Sequence, residues 1–216
     1  FRVEQDRGPV GRVVIREQTQ PFTIVGYHRP SMYHEKAPVY TILSDILSQG
    51  RTSRLYTALQ ETGQALQAQS ISSFPGSKYE SLFMVFGVPS RGVSPDSIEH
   101  AIYDELDKIK ENGVTAEELE RAKTRARANL IGQLDSNSGL ARRFSRMEAL
   151  TGDWRSVFER INEIEAITAE DVQRVAQETF TRSNRTVAMI KTTDEAQPQA
   201  DASSSSSDAS TADASQ

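Results

Sequence analysis

The stretch from Ala37 to Gly63, APVYTILSDILSQGRTSRLYTALQETG, constrains this chain more than any other. Pro38 suits the first turn of a helix. Val39, Ile42, Leu43, Ile46 and Leu47 then fall on one face at helical spacing up to about Gln49. Gly50 stops that helix. After a basic turn, Thr52 or Ser53 is placed to cap a second helix, with Leu55, Leu59 and Tyr56 facing inward until Gly63. Two apolar helical faces in succession need a third surface to cover them.

The flanking segments supply it. Val10–Glu17 and Phe22–His28 read as strands ahead of the helical block; Ala65–Phe74 and the continuous apolar run Leu82–Val88 read as strands after it. Pro75-Gly76 marks a turn between the second pair. Ser94-Pro95-Asp96 opens a helix ended by Asn112-Gly113. Thr115-Ala116-Glu117-Glu118 is a capping-box opening to a long helical stretch whose stripe resumes after Gly139 and stops at Gly152. Further helices begin at Asp153 and at Thr168, and Arg185–Lys191 is a closing strand. The order β-β-α-α-β-β-α-α-α-α-β pairs strands with strands. It predicts an α+β domain over residues 10–193, a mostly antiparallel sheet with helices packed on one face. Residues 1–9 read as a linker. Residues 194–216, rich in Ser, Asp and Ala, cannot bury enough apolar area to order themselves.

Charge and composition exclude several classes. Asp194, Glu195, Asp201, Asp208 and Asp213 follow the last basic residue, Lys191, and account for the whole formal charge of −5. Residues 1–193 are therefore neutral and carry no net signal for nucleic acid. The basic run Arg121, Lys123, Arg125, Arg127, Arg142, Arg143 and Arg146 lacks interleaved aromatics and reads as a solvated or interdomain helix face. With no cysteine there is no disulfide, thiolate metal site or thiol nucleophile. No run is long and apolar enough to span a bilayer. Because the sequence opens at Phe1, a processed chain or one domain of a longer polypeptide is expected, its address removed with what preceded it. The compartment is left open, with an exported or periplasmic setting favoured.

Hydrolytic chemistry finds no foothold. A zinc hydrolase needs about three His or carboxylate ligands and an open position for water. His28, His34 and His100 have no second His three to five residues away, so no helical two-His ligand pair forms. No Gly-x-Ser-x-Gly is present, and Gly50-Arg51-Thr52-Ser53 lacks the second Gly and the Lys of a phosphate loop. The chain alone reads as inactive, with no catalytic residue, no metal ligand and no cofactor of its own.

The helix–Gly–Ser53-Arg54-Leu55-Tyr56 block resembles a segment of the M16 (pitrilysin-like, mitochondrial-processing-peptidase-like) metallopeptidases. Gly113–Lys123 (GVTAEELERAK), Gly152–Ile164 and Ile167–Val172 (ITAEDV) resemble three further blocks, and the likeness spans about residues 10–193. In that family's catalytic domains the first helix carries His-x-x-Glu-His; here the register reads Thr41-Ile42-Leu43-Ser44-Asp45. The resemblance thus implies the zinc-free half of a zinc metalloendopeptidase. Such a half closes a peptide chamber against a His-x-x-Glu-His domain or subunit, which holds the zinc. The alternative it implies is a structural subunit of the respiratory-complex core type. It also implies substrate contacts. Arg51, Arg54 and Tyr56 are candidates beside the interdomain chamber, where Arg and Tyr suit peptide carbonyls and oxyanions. Lys78 and Tyr79, after the Pro75-Gly76 turn, are candidates for an altered Arg/Tyr pair, Lys keeping the charge but losing the planar fork.

Overall fold

The computed structural model describes residues 11–192; the expected linker at 1–9 and tail at 194–216 lie outside them. Five strands form one sheet: β1 (Gly11–Glu17), β2 (Phe22–Arg29), β3 (Ala65–Phe74), β4 (Ser81–Pro89) and β5 (Arg185–Thr192), in the order β1-β5-β2-β4-β3. β1 pairs with β5 in parallel, and every other pairing is antiparallel. Alternation decides which face is covered. Thr23, Val25 and Tyr27 of β2, Phe83 and Val85 of β4, and Val187 and Met189 of β5 are buried, while Ile24, Met84, Phe86 and Ala188 on the other face are half-buried.

Helices cover the buried face in two layers. α1 (Ala37–Ser48), α2 (Pro95–Asn112) and α6 (Ala169–Thr179) lie on the sheet; α3 (Ala116–Leu134), α4 (Asn137–Thr151) and α5 (Ser156–Glu165) pack behind α1 and on one another. α2 approaches so closely that a Cβ on Gly87 would sit 2.5 Å from Ile98 Cγ2, so that strand position admits only glycine without a shift. The main core joins Leu43, Leu47, Phe83, Ile102, Leu106 and Val175, all at most 1% exposed. A smaller one gathers Leu130, Met147 and Val157 with Phe144, which meets Trp154 at a tilt with ring centroids 4.9 Å apart.

The helix starts follow their caps. Thr115 and Glu118 form a full capping box on α3, as do Thr168 and Asp171 on α6. Two expected elements differ. The stretch from Thr115 to Gly152 is not one helix but two, broken at Asp135-Ser136. There the Ser136 hydroxyl accepts from Gly139 N at 3.1 Å, and a Cβ on Gly139 would lie 2.3 Å from the Gln133 carbonyl oxygen. The helix after Gly50 shrinks to one wide turn, Tyr56–Gln60, with a π-type bond from Glu61 N to Tyr56 O of 2.9 Å. That widening keeps Leu55 and Leu59 fully buried, while the Gln60 amide donates to Ala68 O at 3.1 Å on β3.

Candidate functional site

A cleft of about 460 Å³ opens between α1 on one wall and α3, α4 and α5 on the other, closed at one end by the ends of β2 and β3. Thr41, Ser44 and Asp45, which fill the His, Glu and His places of the metallopeptidase register, all line it. α1 presents them because Ile42, Leu43, Ile46 and Leu47 are committed to the core. Ser44 Oγ lies 3.0 Å from Ser70 Oγ and donates to Ser70 O at 3.2 Å, tying this wall to β3.

Asp45 is 7% exposed, and its Oδ1 lies 3.1 Å from Arg125 Nε on α3. The contact is an ion pair by distance but not an aimed hydrogen bond, since Oδ1 is left with no hydrogen-bond donor. Burial therefore outweighs the attraction of Arg125 and pushes the Asp45 carboxyl up to about 6. Arg125 also donates to the Gln49 carbonyl, placing its charge at the C-terminus of α1, where the helix dipole favours a cation. The sign of the linkage is clear. A folded-state pKa above the unfolded one means that stability is complete below about pH 4 and falls as pH rises through about 6. Asp45→Asn is accordingly expected to stabilise the protein by about 1–2 kcal/mol at pH 8 and to have little effect at pH 4. Urea midpoints at the two pH values check this; a loss of stability at pH 8 contradicts it.

The rest of the lining is basic and polar. Arg29, Arg143, Arg146 and Arg160 line the cleft, against Asp45 as its one acid. Arg29, 5% exposed, lies 4.4 Å above the Tyr40 ring and donates to Pro30 O at 3.0 Å and Ser72 O at 2.6 Å. Arg160 pairs with Glu163 at 2.8 Å. Burial, with like charge from Arg146 and Arg160, holds the Arg143 guanidinium below its ordinary value, and its buried Nε has no hydrogen-bond partner. The expectation of a solvated basic face is corrected for part of the run, while Arg127, Arg142 and Arg146 are exposed. Lys123 is buried with its ammonium on Glu165 O at 3.0 Å, Arg125 reaches α1, and Arg143 and Arg146 turn into the cleft. The reason is the second helical layer, whose packing on α1 buries the aliphatic stems of residues that a lone helix would expose.

The family's zinc does not fit this cleft. Two hydroxyls and one carboxylate already facing a guanidinium supply no borderline-soft donor set, and a cation would be repelled by Arg125. Among the described residues no group of three His, Cys, Asp or Glu could hold a metal ion.

The sequence candidates fall into two separate groups. Arg51 is exposed on the turn after α1, and Tyr56 is half-buried in the wide turn. Arg54 is turned inward: Nε and Nη2 meet the two Glu118 carboxylate oxygens at 2.8 and 2.9 Å, and Nη2 also donates to Gly113 O at 3.1 Å. Lys78 and Tyr79 are exposed on the β3–β4 turn, with Lys78 Nζ 6.0 Å from the Tyr79 ring centroid. That turn meets the chain just before α1, through Met32 N to Ser77 O at 2.7 Å. The two groups therefore sit at opposite ends of α1, whose 12 residues span roughly 18 Å. None of the five lines the cleft. Of the cleft arginines, Arg143 and Arg146 were read in the sequence only as part of a basic helix face, and Arg29 and Arg160 were not singled out, although Arg29 carried a signal: it is in phase with Thr23, Val25 and Tyr27, a charge on the core face of a strand.

Comparison with known proteins agrees with this fold. The uncharacterized zinc protease YmxG of Bacillus subtilis is 27% identical over 167 residues, covering 77% of this chain. The zinc protease PqqE of Helicobacter pylori is 25% identical over 167 residues, again 77% of the chain. This chain spans only 40% and 37% of those two relatives. Among solved structures, a protease from Helicobacter pylori superposes with a TM-score of 0.79 at 23% identity, over 86% of this chain and 45% of that one. An inactive peptidase domain from Bordetella parapertussis gives 0.74 at 24% identity, over 86% of this chain and 98% of that one. A chain of complex III2 from Candida albicans, 14% identical at a TM-score of 0.69 over 84% of this chain and 45% of that one, shares the fold. The profile of the peptidase M16 inactive domain matches residues 2–126, more than half of the 216. The chain belongs to the peptidase M16 inactive-domain family.

Proposed function

We propose that this chain is the non-catalytic, substrate-binding half of a zinc metalloendopeptidase. It closes a peptide chamber against a domain or subunit that carries His-x-x-Glu-His and holds the zinc. The observation that carries this reading is the cleft at Thr41, Ser44 and Asp45: the positions that correspond by resemblance to His-x-x-Glu-His line a cavity here, furnished with hydroxyls and an Asp45–Arg125 pair. Two zinc proteases related to the chain, each more than twice the matched length, support a missing catalytic half.

Reconstitution tests it. The chain alone is expected to cleave no peptide in a mixed casein-derived library and to hold zinc no better than a control protein. Mixed with its His-x-x-Glu-His half, it should raise chelator-sensitive cleavage by at least tenfold over that half alone. Equal cleavage with and without this chain would sink the proposal.

The alternative is an assembly role without cleavage. The observation favouring it is Arg54, drawn into a fork with Glu118 rather than left open to a ligand. Under that reading the two halves bind each other, and cleavage is absent from the complex.

A further inference from the structure

We propose that the cleft beside α1 is a carboxylate-binding site that takes an acidic segment of an extended peptide, with Arg143 and Arg146 as its principal donors. As a statement about substrate it rests on the substrate-binding reading above; as a statement about binding it concerns this chain alone. Arg143 and Arg146 lie three residues apart on α4 and so share a face. Neither has an ion pair or a hydrogen bond among the described residues, and both line the cleft and its smaller extension along α4. Arg160 and Arg29 add charge from α5 and from the end of β2, both partly satisfied by Glu163 and by backbone carbonyls.

Neighbouring guanidinium groups repel one another, and the partial burial of Arg143 weakens the screening of its charge against Arg146 and Arg160. An incoming carboxylate relieves that repulsion and supplies the acceptors that the unpaired N–H groups lack. The opposing acid, Asp45, does not compete, because Arg125 already faces it. Three features point to peptide rather than nucleic acid. No aromatic side chain lines the cleft to stack a base. Met32, Leu130, Met147 and Leu150 offer aliphatic surface beside the charges. A volume of about 460 Å³ holds a short segment rather than a duplex.

Two sources carry that chemistry: a separate acidic peptide, and the chain's own residues Asp194, Glu195, Asp201, Asp208 and Asp213. β5 runs from Arg185, paired with Tyr27 near the Arg29 end of β2, to Thr192 at the opposite end of the sheet, roughly 23 Å away. At an upper limit of about 3.3 Å per residue, the 24 residues that follow it are enough in number to cover that distance, so length excludes neither source.

The test is fluorescence anisotropy on the full chain. The probe is a labelled nine-residue peptide with four Glu, and its Gln counterpart is the control. The Glu peptide is expected to bind, to bind more weakly as salt rises, and to bind at least tenfold more weakly to Arg143→Gln/Arg146→Gln. Arg174→Gln, on the exposed face of α6, should bind as the parent does. The double variant removes unpaired charge, so its thermal midpoint should not fall; this separates lost binding from lost folding. Equal binding of the Glu and Gln peptides, or unchanged affinity in the double variant, overturns the proposal. A further arm neutralises the five tail acids to Asn or Gln in the full chain. Tighter peptide binding then identifies the tail as the resident carboxylate source, and unchanged binding identifies the separate peptide. Binding that survives a failed reconstitution keeps the site and removes the peptidase reading; the reverse outcome removes the site alone.

Discussion

Phe83→Ala is expected to destabilise the protein by about 3–5 kcal/mol, the largest effect of any single truncation considered. Phe83 is fully buried on β4 and lies between α1 and α6, with ring centroids 6.2 Å from Tyr40 and 5.4 Å from Phe180. Tyr27 completes the group, 5.0 Å from Phe180 in an edge-on arrangement. Removing the ring forfeits its transfer free energy, opens a cavity, and breaks two aromatic contacts worth roughly 0.5–1.5 kcal/mol each beyond their area. The surroundings cannot collapse to fill it, since β4 is pinned by β2 and β3 and α2 already touches the strand at Gly87. A chain of this size should lose roughly 10 °C in thermal midpoint. Tyr79→Ala is the matched control: its ring is 69% exposed, and the change should stay within about 0.5 kcal/mol. A drop of under 3 °C for Phe83→Ala would mean that the aromatic group does not organise the core.

Arg54→Ala is expected to cost about 2–3 kcal/mol at pH 7 and much less near pH 2. Its fork on Glu118 is largely shielded, the two side chains being 17% and 16% exposed. Glu118 also closes the α3 capping box by accepting from Thr115 N at 2.8 Å, so one carboxylate joins the turn after α1 to the start of α3. The hydrogen bonds from Arg54, followed by those from Thr115, hold the Glu118 carboxyl down to about 2 against the cost of burial. A depressed folded-state pKa gives stability that is complete above the unfolded value near 4.5 and is lost as pH falls through about 2. The gap between parent and variant should therefore be widest at neutral pH and close on acidification; urea midpoints at pH 7 and pH 2.5 measure it. Arg54→Lys keeps the charge without the fork and should fall between the two. If Arg54→Ala leaves stability untouched at pH 7, the ion pair is not what holds these turns together, and a substrate contact for Arg54 regains ground.

The architecture was legible wherever local chemistry and the core demand the same thing. Leu43 and Leu47 mark the buried face of α1 by spacing alone, and Thr115 with Glu118 fixes the start of α3. The break in the long helix was legible too, in Ser136 and Gly139, but an apolar stripe continuing from Leu140 to Met147 masked it. The wide turn at Tyr56–Gln60 was not legible. Its form is imposed by the need to bury Leu55 and Leu59 together while Gln60 reaches β3. The candidate site divides in the same way. Thr41, Ser44 and Asp45 could be read from register, whereas Arg143 and Arg160 lie on helices whose placement against α1 no spacing rule contains.

By itself the sequence determined the five strands, most of the helices, their buried faces and the absence of a two-His ligand pair, because periodicity, capping and residue type are local properties. Tertiary structure alone decided what surrounds Thr41, Ser44 and Asp45. Folding α3, α4 and α5 back over α1 sets Arg125 against Asp45 and brings Arg29, Arg143, Arg146 and Arg160, up to 131 positions apart, into one cleft. Coulomb interaction and desolvation depend on distance through space and on what lies between the charges, and neither is written along the chain.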